Sequence, residues 1–265
     1  MQRTLIGLLL VLTVFTSFGF LGWYFVKDKI RLKPEYLLSA EHIVVSRPPD
    51  WISDRFVEDV LRSSGLNKTG SLLDKALSQK LSEAFAACPW VENVEQVVPR
   101  YPSGAEVQLT YRMPTALVEV PQRGIFPVDR NGVLLPVEYL SNAPTDPRSR
   151  HLVIQGIQST PLGSAGTAWG DPLVQTSAQL AAVLADIAEP LKLARIVPSM
   201  ETTPNGARIV CRLKTAAGTE ILWGAFALND PKIETKKKRL WDLNEQFRSL
   251  DNVPTRFQPI DLGRE

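Results

Sequence analysis

The sequence predicts an α+β protein carried behind a single N-terminal transmembrane helix, and three observations predict it. Residues Leu5 to Val26 contain no charged side chain. The next stretch reads as strand and helix patterns in the order β-α-α-β-β, and the C-terminal part holds short strands, tight turns and two longer helical patterns. The expected division is 1–33 for a short tail, the span and a basic flank, 34–115 for a first domain, and 116–265 for a mixed, mainly antiparallel β domain with two helices.

As a helix rising about 1.5 Å per residue, the uncharged run covers roughly 33 Å, against a hydrocarbon core of about 30 Å. A cleaved signal peptide is the alternative, but its apolar region is shorter and ends in small residues. Here the run exits through Trp23-Tyr24-Phe25, aromatic rings suited to a membrane interface. Lys27, Lys29, Arg31 and Lys33 follow the span while Arg3 precedes it, so the flanking charge alone favours a cytoplasmic main domain. Long domains translocate largely regardless of that bias.

With 30 basic and 28 acidic residues the net charge is +2, so no bulk field is available for nucleic acid. The two cysteines, Cys88 and Cys211, fall in separate patterns and read as small buried hydrophobes. Twenty prolines, many at element boundaries, imply short elements joined by stiff turns.

Ile43 to Val45 is a β-branched run broken by Pro48-Pro49. A helix follows with Ser53 as cap and Phe56, Val57, Val60 and Leu61 on one face, stopped by Gly65. Leu73, Leu77, Leu81, Phe85 and Cys88 mark a second helix ending at Pro89. Val94 to Val98, a turn at Tyr101-Pro102-Ser103-Gly104, and the alternation Val107, Leu109, Tyr111 make a hairpin.

From Ala116 to Val120, Ile125 to Val128 and Val133 to Leu135, strands flank the Asn131-Gly132 turn signal. Leu152 to Ile154 is a further strand, and Gly156 to Gly170 reads as a loop with scope for mobility. Asp171-Pro172 opens a helix with Leu173, Leu180, Leu184 and Ile187 on one face. Leu193 to Val197, Arg208 to Leu213 and Thr219 to Trp223 form a meander. A last helix from about Pro231 to Leu250 buries Ile233, Leu240, Leu243, Phe247 and Leu250 and sets Lys236 to Arg239 outward, before a final strand from Phe257 to Leu262.

Cys88-Pro89-Trp90-Val91, then Val94, Val97 and Tyr101-Pro102, stand between a helix and a hairpin. They resemble the Pro-Trp-Val signature of the POTRA domain in the FtsQ/DivIB family of bacterial cell-division proteins. Arg112-Met113-Pro114-Thr115-Ala116, Val128-Asp129-Arg130-Asn131-Gly132-Val133, Leu222-Trp223-Gly224, the Lys- and Leu-rich helix and Ile260-Asp261-Leu262 follow in family order. Val98-Pro99 departs from the family pattern, and the chain stops at Glu265, ahead of the longer tail many members carry. The resemblance implies a non-enzymatic, extracytoplasmic scaffold of the inner membrane. It would join other single-pass septal proteins of the FtsB and FtsL type by adding a partner strand to the last sheet edge. On that reading the partner-binding residues are Phe257, Gln258, Ile260, Asp261 and Leu262, with Phe257 and Ile260 foremost. A POTRA-bearing protein that assists polypeptide transfer is the alternative, and a membrane-tethered hydrolase is the third.

No catalytic, cofactor or metal site is expected. His42 and His151 are too few for a triad or metal cluster and read as surface or turn residues. Gly65 to Ser71 imitates a phosphate loop but has Ser71 where Lys is needed and a helix before it. Gly163-Ser164-Ala165-Gly166 lacks the nucleophile-elbow spacing. The run Lys236-Lys237-Lys238-Arg239 reads as a solvated helix face, with anionic lipid as the sharper alternative. Trp90 and Trp223 read as core anchors.

Overall fold

The computed structural model describes residues 16–17, 19, 36–142, 146–204, 206–254 and 259–262. The expected span at 5–26 lies outside these apart from Thr16, Ser17 and Gly19, and among the described residues no helix is long and apolar enough to cross a membrane. The chain is α+β, with a three-stranded and a seven-stranded sheet, and separates into two compact units, Met1–Thr110 and Tyr111–Glu265. That division falls shortly before the junction expected at 115.

In the first unit, β1 (Ile43–Val45) runs parallel to β3 (Gly104–Tyr111), and β2 (Val91–Arg100) flanks β3 on the other side. The central strand is therefore the last in sequence. Its buried Ala105, Val107 and Leu109 alternate with exposed Gln108 and Thr110, the two-residue period of a sheet with one covered face. Helices α1 (Phe56–Ser63) and α3 (Leu77–Ala86) bury Phe56, Val60 and Leu61, and Leu77, Leu81 and Phe85. The Phe56 and Phe85 rings meet with centroids 5.8 Å apart.

Boundaries shift for local reasons. The Ser53 hydroxyl accepts from the Arg55 amide at 3.2 Å and so closes the turn before α1 rather than capping it. Gly65, at φ +73°, stops α1, and the phosphate-loop look-alike becomes the one-turn helix α2 (Leu66–Thr69). Leu73 is exposed and precedes α3. Pro99 lies inside β2, where an edge strand tolerates the missing amide. Trp90 is half-buried rather than a core anchor.

The second unit holds β4 (Ala116–Val120), β5 (Gly124–Val128), β6 (Leu152–Ile154), β7 (Leu193–Thr203), β8 (Gly206–Thr215), β9 (Glu220–Ala225) and β10 (Ile260–Asp261), in the order β10-β9-β8-β7-β6-β4-β5. The pairs β4–β6, β6–β7 and β9–β10 are parallel and the other three antiparallel. The mainly antiparallel expectation thus holds for the long ladders alone. Parallel neighbours need crossovers, and α6 (Pro172–Ala188) supplies the one between β6 and β7. Asp171 caps α6 by accepting the Leu173 amide at 2.8 Å.

Leu180 and Leu184 of α6, Ile154, Ile196, Leu213 and Trp223 from the sheet, and Leu240 of α7 (Ile233–Phe247) share one core. Lys237 of α7 lies 2.8 Å from Asp186 of α6 and ties the two helices together. Two short helices, α4 (Tyr139–Asn142) and α5 (Pro147–Arg150), precede β6.

The expected strand at Val133–Leu135 is absent as a strand. Val133 and Leu134 make single bridges to Ala168 and Val128. The cause is Asp129, whose carboxylate accepts the amides of Asn131 at 2.8 Å and Val133 at 2.9 Å and bends the chain out of a simple hairpin. The stretch 156–170 has no regular structure, yet it is tied down. Trp169 is buried against Phe126, its Nε1–H donates to Ser159, and backbone bonds join Thr167 and Gly166 to Leu134.

Candidate functional site

The expected partner strand maps to the end of the larger sheet. β10 pairs in parallel with β9, Ile260 opposite Ile221 and Asp261 opposite Leu222, and the Leu262 amide donates to the Leu222 carbonyl at 3.0 Å. Phe257 and Gln258 lie outside the described residues. Ile260 and Leu262, 8% and 5% exposed, both point into the core, whereas Asp261 between them is half-buried. Ile260 is therefore corrected from a contact side chain to a core side chain. Alternation along a strand puts 260 and 262 on the covered face and gives the opposite face to 261.

The backbone obeys the same parity. A residue's N–H and C=O point to the same side of its strand, so Leu262 faces β9 with both, and Asp261 turns its pair toward the sheet's terminal edge. What this edge presents is main chain.

Behind β10, β9 carries a bulge. Cys211 of β8 stands opposite Gly224 and Arg212 opposite Leu222, so Trp223 is the extra residue. Gly224 adopts φ +83°, which a side-chain-bearing residue resists. The Trp223 indole is 1% exposed, and its carbonyl accepts from Lys236 Nζ at 2.9 Å. The same ammonium sits 5.2 Å from the indole centroid, within cation–π range.

Lys236 is 8% exposed, so it is corrected from the solvated face to the buried stripe. Burial pushes its pKa down, and the carboxylates of Asp230 and Asp261 oppose that. Lys238 and Arg239 stay exposed, as expected. A cavity of about 610 Å³ opens here between β9, α7 and Asp261. Beneath the bulge, burial pushes the Cys211 thiol up to about 12, which keeps it a neutral core group.

The histidines have partners that sequence did not show. His42 Nδ1 bonds the Ser103 hydroxyl, and His151 Nε2 lies 2.7 Å from the Tyr139 hydroxyl. Burial pushes the His151 pKa down, with Arg150 acting the same way and a backbone bond to Thr115 opposing. Both cysteines are free, and among the described residues no group of three or more His, Cys, Asp or Glu side chains is placed to hold a metal ion.

The Lys236 signal was present in the sequence. Ile233, Lys236 and Leu240 stand at i, i+3 and i+7, which is one helix face. Comparison with protein-family models yields no match, and a search of curated proteins finds no relative.

Proposed function

We propose that this chain is a non-enzymatic, single-pass membrane scaffold of the bacterial division machinery, of the FtsQ/DivIB type. It would link other single-pass septal proteins of the FtsB/FtsL type by accepting a strand at β10. The observation that carries the reading is the two-residue strand ending the seven-stranded sheet, braced from behind by the Trp223 bulge and Lys236. Motif order supports it as well. The junction motif and the Val-Asp-Arg-Asn-Gly motif, apart in sequence, meet through Arg112 and Asp129.

Binding through this edge runs through backbone hydrogen bonds, so it tolerates side-chain change and weakens when an amide is lost. Asp261→Pro removes the outward-facing amide, and Asp261→Ala keeps it. In co-purification with an FtsB-type partner, Asp261→Pro should lower recovery about tenfold, whereas Asp261→Ala should stay near wild type. Equal recovery with all three proteins, each shown folded by circular dichroism, would remove the edge from the binding surface.

A further inference from the structure

Two adjoining cavities of about 570 and 310 Å³ form one groove on the second unit, and they share Arg150, His151, Leu152, Ala185 and Ala188. One wall is α5, carrying Arg148 and Arg150. The other is the end of α6 followed by Lys192, and small side chains, Ala182 and Ala185 of α6 and Ala216 after β8, line the groove as well. This groove is lined by a different set of residues from the cavity beside β10.

Its charge is one-sided. Arg130, Arg148, Arg150 and Lys192 line it, against the single acid Glu189. Among the described residues Arg148, Arg150 and Lys192 enter no ion pair. Lys192 follows the end of α6, where a base complements the helix dipole, and its charge also acts on the Asp251 carboxylate, so the unpaired excess lies chiefly with Arg148 and Arg150. His151 adds no charge to the groove, because burial favours its neutral form.

We propose that this groove binds an acidic segment of a partner polypeptide, separately from the β10 edge. Carboxylates would reach Arg148 and Arg150 on one wall and Lys192 on the other, while the small alanine side chains along the groove let the partner's backbone approach closely. A bilayer surface fits less well. A headgroup plane meets side chains that protrude from one flat surface, and the basic groups here stand on the two walls of a groove.

The test is fluorescence anisotropy with the full chain in neutral detergent. The probe is a Glu-Ala-Ala-Leu repeat peptide of about a dozen residues carrying an uncharged dye, with the Lys-Ala-Ala-Leu repeat as control. The expected result is saturable binding of the acidic peptide alone, weakened about tenfold or more in the combined Arg148→Ser, Arg150→Ser, Lys192→Ser variant and unchanged in Arg62→Ser on the first unit. No saturable binding, or equal affinity in the combined variant, overturns the proposal. Displacement of the peptide by inorganic phosphate at matched charge overturns it in favour of a small-anion site. Loss of binding to phosphatidylglycerol vesicles in the combined variant, without loss of peptide binding, overturns it in favour of lipid.

Discussion

At the scale of single residues, Asp129 organises more of the second unit than its place in a turn motif implies. One carboxylate oxygen accepts two backbone amides, and the other lies 2.7 Å from Arg112 Nη1, with both side chains largely buried. A buried pair adds little net stability as a pair, but removing one member strands the other charge. Asp129→Ala should therefore cost about 3–5 kcal/mol in urea unfolding followed by tryptophan fluorescence. Asp129→Asn keeps an acceptor for the two amides and should cost less; equal losses would show that the amide contacts contribute nothing separable from the ion pair. The sequence placed Asp129 in a turn and Arg112 at a junction. It did not join them, since contact between separate segments leaves no local period to read.

At the scale of elements, the first unit closes where the turn Ala40–His42 meets the start of β3. A Cβ built on Gly104 would stand 2.2 Å from the His42 carbonyl oxygen, a backbone atom that yields only if the turn itself shifts. Gly104→Ala should lower the melting temperature by an amount equivalent to about 2 kcal/mol or more, with calorimetry as the measurement. A melting temperature equal to wild type would mean that the turn shifts without cost. Elements whose period agrees with their burial were legible: α1, α3, α6 and β3 follow the spacing of their apolar residues. Two strands drawn too short from sequence share another feature. β2 and β7 run through Pro99 and Pro198, which look like breaks until their neighbours are known. Pro198 falls beyond Ile196, the last β7 residue paired with β6, so its missing amide leaves no gap on that side.

At the scale of the whole molecule, the proposed scaffold requires residues beyond the basic flank to lie outside the cytoplasm. Lys27, Lys29, Arg31 and Lys33 bias against that orientation, and a long folded domain overrides the bias. In cells with a permeabilised outer layer and an intact inner membrane, added protease should digest the region 40–265. Full protection, with digestion appearing only after the inner membrane is opened, would place the domain in the cytoplasm and end the scaffold reading. The near balance of 30 basic and 28 acidic residues also hides a local asymmetry. The basic groove at α5 and α6 was invisible in the net charge, because a sum over the chain discards position.

By itself the sequence determined the class α+β, the paired helices over a small sheet, the capped helix after Asp171 and the strand at the C-terminus. Each follows from a local period or a local stop. The tertiary structure alone decided which side of β10 faces the core, which lysine of the basic run is buried, and which strands lie parallel. Two-residue alternation defines two faces without naming the covered one, and strand order depends on crossovers between distant segments. Ile260 and Lys236 carry that difference: one exchanges an expected partner for the core, and the other leaves solvent for the carbonyl of Trp223.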